Sequence, residues 1–268
     1  MKKIFSFFWM FVLKIAEKKL FCFLLNIRNL IKRKKIYFKF IDKFYILNQD
    51  KKNWFFKNKY RLLRNVDGLE KRAKQLRDIY QLKNIDINDQ DLIVDIGANY
   101  GEFFNIFDLI INKKINYISV EPSYDCYECL KKSIPNHKHI NTAIYNKKIK
   151  KNFFLSEDTA DSSLIEPQKF SKLIKIETKT LNDIINQDVK LLKVEAEGAE
   201  PEIILNIRDL NYKIKYIVVD VGFERGKRKQ STEKRCLTIL KSYGYYIKSE
   251  YRSNERIVIL FERKNNDN

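Results

Sequence analysis

The chain has 268 residues, enough for one generous domain or two small ones. Apolar residues make up 44% and charged residues 32%, which excludes wholesale disorder, and 7 Gly with 4 Pro exclude a collagen-like or linker-like chain. The formal net charge is +19, a balance that raises nucleic acid or an anionic membrane as partner, yet residues 1–64 carry 18 Lys/Arg against 3 Asp/Glu and residues 65–268 carry 35 against 31. The surplus therefore belongs to the first quarter, and two regions are expected: a basic aromatic extension over 1–64 and the main domain over 65–268.

Residues Ile4 to Leu13 are apolar apart from Ser6, too short a run to span a bilayer. Met1-Lys2-Lys3 before it resembles the start of a signal peptide, but no small-x-small cleavage site follows. Phe5, Phe8, Trp9, Val12, Ile15 and Ala16 recur at helical spacing, and Phe23, Leu24, Ile27, Leu30 and Ile31 continue it into the basic run Lys32-Arg33-Lys34-Lys35. Such a helix can lie in a lipid headgroup layer or pack on the protein itself, so residues 1–35 are a candidate peripheral membrane contact. Lys39–Leu47 and Trp54-Phe55-Phe56 read as short strands joined at Asn48-Gln49-Asp50. Aromatics interleaved with cations can stack on single-stranded nucleic acid, but more often they form the buried face of a small sheet. Leu69–Leu82 reads as an amphipathic helix.

From Asp91 the pattern becomes strand, turn, helix. Leu92–Ile96 is a buried strand ending in Gly97-Ala98-Asn99-Tyr100-Gly101, with a helical pattern from Glu102. A strand over Ile115–Val120 ends at Glu121-Pro122, then come a helix over Tyr124–Ser133 and a strand around Ile140–Ile144. Leu191–Val194 and Tyr216–Asp220 are later strands. This alternation implies a mostly parallel sheet covered by helices on both faces, with ligands beyond the C-terminal strand ends. Gly97 to Gly101 is G-x-x-x-G, not the dinucleotide G-x-G-x-x-G. Asp95 beside the turn would repel a diphosphate and attract an ammonium, and Glu121 suits ribose hydroxyls. The pair fits S-adenosylmethionine.

Cys126 and Cys129 form C-x-x-C near His137 and His139, a conceivable zinc set, but one helical turn gives that spacing freely and no metal site is expected. His137 and His139 are expected on the surface at the N-terminal edge of the sheet. The four Cys show no disulfide pattern, so a reducing, cytoplasmic setting is expected. Asn-Pro-Pro-Tyr, the signature of base amino-methylation, is absent, and with the near-balanced charge of 65–268 this argues against a nucleic-acid substrate.

Five motifs in register resemble the FkbM-type S-adenosylmethionine-dependent methyltransferases over roughly residues 60–260. They are Asp95–Glu102, Val120-Glu121-Pro122, Asp161-Ser162-Ser163-Leu164, Leu192–Glu200 and Val219–Gly226. The resemblance implies a class I methyltransferase fold, Rossmann-like α/β, with seven strands and the last antiparallel. Tyr245–Ile247 and Ile257–Phe261 suit its closing hairpin. It also implies O-methylation of sugar hydroxyls in surface glycans or of related small molecules. By match to its motifs, Asp95, Gly97, Asn99 and Gly101 hold the methionine end of the cofactor, Glu121 its ribose, Asn141 and Ala143 flank the adenine, and Asp161, Ser162 and Ser163 lie nearby. Lys193, Glu195, Glu197 and Gly198 match Lys-x-Asp-x-Glu-Gly, with Glu195 in place of Asp, one methylene longer. Glu195 or Glu197 is the expected general base, though either can instead orient the cofactor amine or cap the next helix. Phe223–Lys229 is expected to meet the acceptor. The rival expectation is a cofactor-binding, inactive interaction protein at a membrane or glycan-assembly complex.

Overall fold

The computed structural model describes residues 15–156 and 161–264. A seven-stranded sheet forms its centre, in the order β12-β13-β11-β10-β4-β5-β6. These strands are β4 (Leu92–Ile96), β5 (Asn116–Val120), β6 (Lys138–Ile140), β10 (Val189–Val194), β11 (Ile214–Asp220), β12 (Tyr245–Arg252) and β13 (Ile257–Arg263). All adjacent pairs from β11 to β6 are parallel, and β13 runs antiparallel to both neighbours. This is the class I methyltransferase, Rossmann-like arrangement with its closing hairpin. The chain winds outward from β4 to β6 and then returns to β10 on the other side of β4. The switch point lies between β4 and β10, where ligands of such sheets bind.

Both faces of the sheet are covered, as the apolar runs require. Ile93, Tyr117, Leu191 and Val218 point into one cluster, and Leu92, Val94, Ile118, Leu192 and Val219 into the other. Successive residues of a strand feed opposite faces. The first cluster is completed by helix α3 (Leu69–Ile79), a π-helical stretch (Ile106–Ile111) and α4 (Tyr124–Ser133), the second by α5 (Glu200–Ile204) and α6 (Glu233–Ser242).

The region before α3 joins the first cluster. Helix α1 (Lys18–Ile31) buries Phe21, Cys22, Leu25 and Asn29, while Leu20, Phe23, Leu30 and Ile31 face outward. The expected helical residues 5–14 lie outside the described residues. A three-stranded meander follows: β1 (Ile36–Ile41), β2 (Phe44–Gln49) and β3 (Lys52–Phe56). The strand expected over Lys39–Leu47 is broken at Asp42-Lys43, and a second turn falls at Asp50-Lys51. All four turn residues have positive φ, so non-glycine residues make both tight hairpin turns. Buried Trp54 donates its indole N–H to Tyr100 O at 2.9 Å, which ties the meander to the turn after β4. Short α2 (Lys59–Arg64) then leads to α3.

Two further expectations change. The strand around Ile140–Ile144 is two pieces: β6, and β7 (Ala143–Ile144), which joins β8 (Lys150–Leu155) and β9 (Lys172–Lys179) in a small sheet ordered β7-β9-β8. His139 lies opposite Ser119, near the C-terminal end of β5, because β6 has only three residues. Both His137 and His139 are half-buried rather than on the surface: His139 sits 2.6 Å from Ser119 Oγ and from Ile134 O, and His137 tilts against the Phe104 ring.

Candidate active site

A cavity of about 530 Å³ opens beyond the C-terminal ends of β4, β5 and β10. The turn after β4 forms its floor. Gly97 has φ +75°, and a Cβ there would fall 1.8 Å from Glu195 O, so only glycine permits this approach of two strand ends. Glu121 follows β5. Its two carboxylate oxygens accept from Asn99 N and Ser123 N, each at 2.8 Å. Burial still pushes its pKa up to about 7, against the lowering effect of those N–H groups.

Lys193 and Glu195 belong to a buried charge network. Lys193 Nζ lies 3.0 Å from both Asp95 Oδ1 and Glu195 Oε2 and donates to Gly97 O at 2.8 Å. Glu195 also pairs with Arg256 and accepts from the Tyr80 hydroxyl. Arg256 stacks over the Tyr80 ring and reaches Asp220 Oδ2 at 2.5 Å. Burial disfavours the Glu195 anion, but Arg256 and Lys193 outweigh it and hold the carboxyl far below the usual range. Burial likewise opposes the Lys193 charge, and Asp95 and Glu195 outweigh it. This side chain remains an ammonium.

Glu197 has the opposite environment. It lines the cavity with φ +50°, and burial, then Asp161 and Glu195, push its carboxyl well above the usual range. Glu224 across the cavity is raised by burial and by Glu197. Ser163 donates its hydroxyl to Glu197 O at 2.7 Å, fixing the loop that carries this acid.

Of the residues expected at the site, Gly97, Asn99, Glu121, Ala143, Asp161, Ser162, Ser163, Lys193, Glu195 and Glu197 line the cavity. Three do not. Asp95 is fully buried beneath it, where it accepts from Tyr117 and pairs with Lys193, so the ammonium it meets is the protein's own. Gly101 faces α4, where a Cβ would fall 2.5 Å from Leu130 Cδ1. Asn141 turns outward and donates to Glu121 O and Pro122 O, bracing the acid from behind. From the basic loop, Phe223, Glu224, Gly226 and Lys229 reach the cavity, but Arg225 is drawn away onto Glu202 at 2.8 Å. Residues the sequence reading missed are Arg61, Arg64, Arg72, Tyr80 and Arg256. Arg61 pairs with Asp161 and Arg72 with Glu102. No motif marks them, because they come from α2, α3 and the β12–β13 hairpin and meet only through folding. Among the described residues no group of three or more His, Cys, Asp or Glu could hold a metal. Cys126 and Cys129 are buried on α4, and burial raises both thiols, that of Cys129 to about 12.

The cavity fits S-adenosylmethionine. Its volume is that of a small-molecule pocket. Glu121 presents carboxylate lone pairs suited to ribose hydroxyls, while Ala143, Ile144 and Phe153 supply apolar walls for a flat base. The tight turn at Gly97 admits close backbone approach.

No curated protein matches the chain. Among solved structures, methyltransferase FkbM from Methylobacillus flagellatus aligns at 16% identity with a TM-score of 0.47, over 66% of this chain and 44% of that one. Precorrin-6y C5,15-methyltransferase from Geobacter metallireducens aligns at 13% identity with a TM-score of 0.43, over 71% and 87%. This chain thus spans less than half the length of the Methylobacillus protein. Residues 95–247 match the methyltransferase FkbM domain, which is more than half of the chain. On that match, the chain belongs to the FkbM family of S-adenosylmethionine-dependent methyltransferases.

Proposed function

We propose that the protein is an O-methyltransferase acting on a hydroxyl of a sugar, in a surface glycan or a related small molecule. Glu197 carries the reading. It lies on the same cavity as Glu121, and its environment makes it the more basic of the two candidate acids. Bound S-adenosylmethionine would supply an electrophilic methyl on a sulfonium, whose carbon–sulfur bond breaks to leave the neutral thioether S-adenosylhomocysteine. Glu121 would accept from the ribose hydroxyls and set the cofactor's position. Glu197, once ionised, takes the proton of the acceptor hydroxyl as its oxygen attacks, which a weakly acidic sugar hydroxyl needs. Glu195 is committed to Arg256, Lys193 and Tyr80, so it holds the turn rather than moving a proton. Alignment of acceptor and methyl provides much of the acceleration.

The locked Glu195, a Glu where the family motif has Asp, favours a second reading: a chain that binds the cofactor without turnover. Transfer of tritiated methyl into a glycan pool separates the two. Labelling that falls about 10²–10⁴-fold in Glu197→Gln, with cofactor affinity kept, supports the enzyme. An unlabelled pool at saturating cofactor supports the binder and overturns the first reading.

A further inference from the structure

Arg61, Arg72 and Arg256 on the cavity each face a carboxylate, but Arg64 has no ion-pair partner among the described residues. Lys169 and Lys229 line the same cavity, also outside any ion pair among the described residues. Glu197 and Glu224 line the same cavity, burial raises both carboxyls, and neither forms an ion pair with these cations among the described residues. Desolvation and then Arg61 disfavour the Arg64 charge while Asp161 and Glu102 favour it, and the exposed guanidinium is open to a bound anion. We propose that the acceptor is an anionic sugar whose carboxylate or phosphate is held by Arg64, assisted by Lys169 and Lys229. A guanidinium suits this task because its planar fork bonds either group in a bidentate way. The inference rests on the proposed function and names the substrate class of that site.

Calorimetry on the full chain, saturated with S-adenosylmethionine, compares glucuronate, glucose 1-phosphate and glucose. At least one anion should bind about tenfold or more tightly than glucose, and the two anions tell carboxylate from phosphate. Arg64→Gln should abolish that preference while cofactor affinity stays unchanged, which also shows that the variant is folded. Equal binding of all three sugars, or a preference that persists in Arg64→Gln, overturns the inference alone. Absence of cofactor binding by the wild-type chain overturns the site reading beneath it.

A separate observation concerns α1. Its outward face carries Leu20, Phe23, Ile27, Leu30 and Ile31, a stripe at helical spacing opposite the buried Phe21 and Leu25. Lys19, Lys32, Arg33 and Lys35 border the stripe, with no ion pair among the described residues. An apolar stripe bounded by unpaired cations matches the two layers of an anionic lipid surface. We infer that α1 docks on an anionic membrane in the headgroup plane. Vesicles of phosphatidylcholine with phosphatidylserine should sediment the chain, and pure phosphatidylcholine vesicles should not. Leu20→Gln/Phe23→Gln/Leu30→Gln and Lys32→Gln/Arg33→Gln/Lys35→Gln should each weaken partition about tenfold or more, with cofactor binding intact. Equal partition of either variant overturns the inference. So does a wild-type dimer that the apolar variant makes monomeric, since the stripe then receives a second copy.

Discussion

Glu195 and Glu197 lie two positions apart and meet opposite fates. The first turns toward Arg256 and Lys193, and the second toward Asp161 and Glu224. Their neutral variants should therefore differ in kind. Glu195→Gln leaves Lys193 to Asp95 and the half-buried Arg256 to Asp220, a loss of about 1–3 kcal/mol that urea denaturation would read. Glu197→Gln removes an acid held against its own charge, so stability should hold while turnover falls. A third residue sets the pH response. With its pKa near 7, Glu121 is half protonated at neutrality, and only the carboxylate accepts from two hydroxyls at once. Cofactor Kd should fall as pH rises from about 6 to 8. Titration calorimetry across that range checks this, and a flat profile would remove Glu121 from the ribose role. Turnover should rise with pH as Glu197, raised by its burial, ionises.

The strand-turn-helix around Gly97 was legible because glycine is scarce and sits at a strand end. Its purpose was not. Gly97 is required by the backbone of Glu195, and Gly101 by Leu130 of α4 and Ile134 just after it. Alanine at 97 would strain a positive φ and meet a carbonyl, costing about 1–3 kcal/mol from each effect and parting β4 from β10. The expected readout is a lower urea midpoint together with lost cofactor binding. The expected turn at Asn48-Gln49-Asp50 falls beside the one at Asp50-Lys51, while the turn at Asp42-Lys43 is unannounced because it adopts positive φ without glycine. The meander's link to the site was also invisible, because Trp54 and Tyr100 are 46 residues apart and share one hydrogen bond. Trp54→Phe should cost about 1–3 kcal/mol by leaving the buried Tyr100 carbonyl unpaired.

At the scale of the whole molecule, the alternation of strands and helices revealed the sheet, its direction and the switch point. The motif residues at strand ends were legible for the same reason. Arg64, Tyr80 and Arg256 were not, since pairing across distant elements leaves no local pattern. The charge of +19 proved unevenly distributed in space as well as in sequence: Arg28 and Lys34 bind Asp67, Lys59 binds Glu17, and Arg61 reaches the cavity. Among the described residues no helix is long and apolar enough to cross a membrane. The buried acids also govern stability. Glu121 and Glu200 rise from 4.5 to about 7 and Asp220 from 3.8 to about 6, so the unfolded chain loses these protons first. Their contribution is present below pH 4 and lost as pH rises through 6 and 7. Asp183, lowered to about 2, contributes above pH 4 and loses that as pH falls. Without cofactor the Tm should peak near pH 4 and decline toward pH 8, and Glu200→Gln should flatten the decline. The most direct test of the central claim is the cofactor Kd of Glu121→Gln beside that of Glu197→Gln, with methyl transfer measured on both. The first should weaken binding by about tenfold or more, and the second should keep binding and lose turnover. A Glu121→Gln variant that binds as tightly as the wild type would contradict this site.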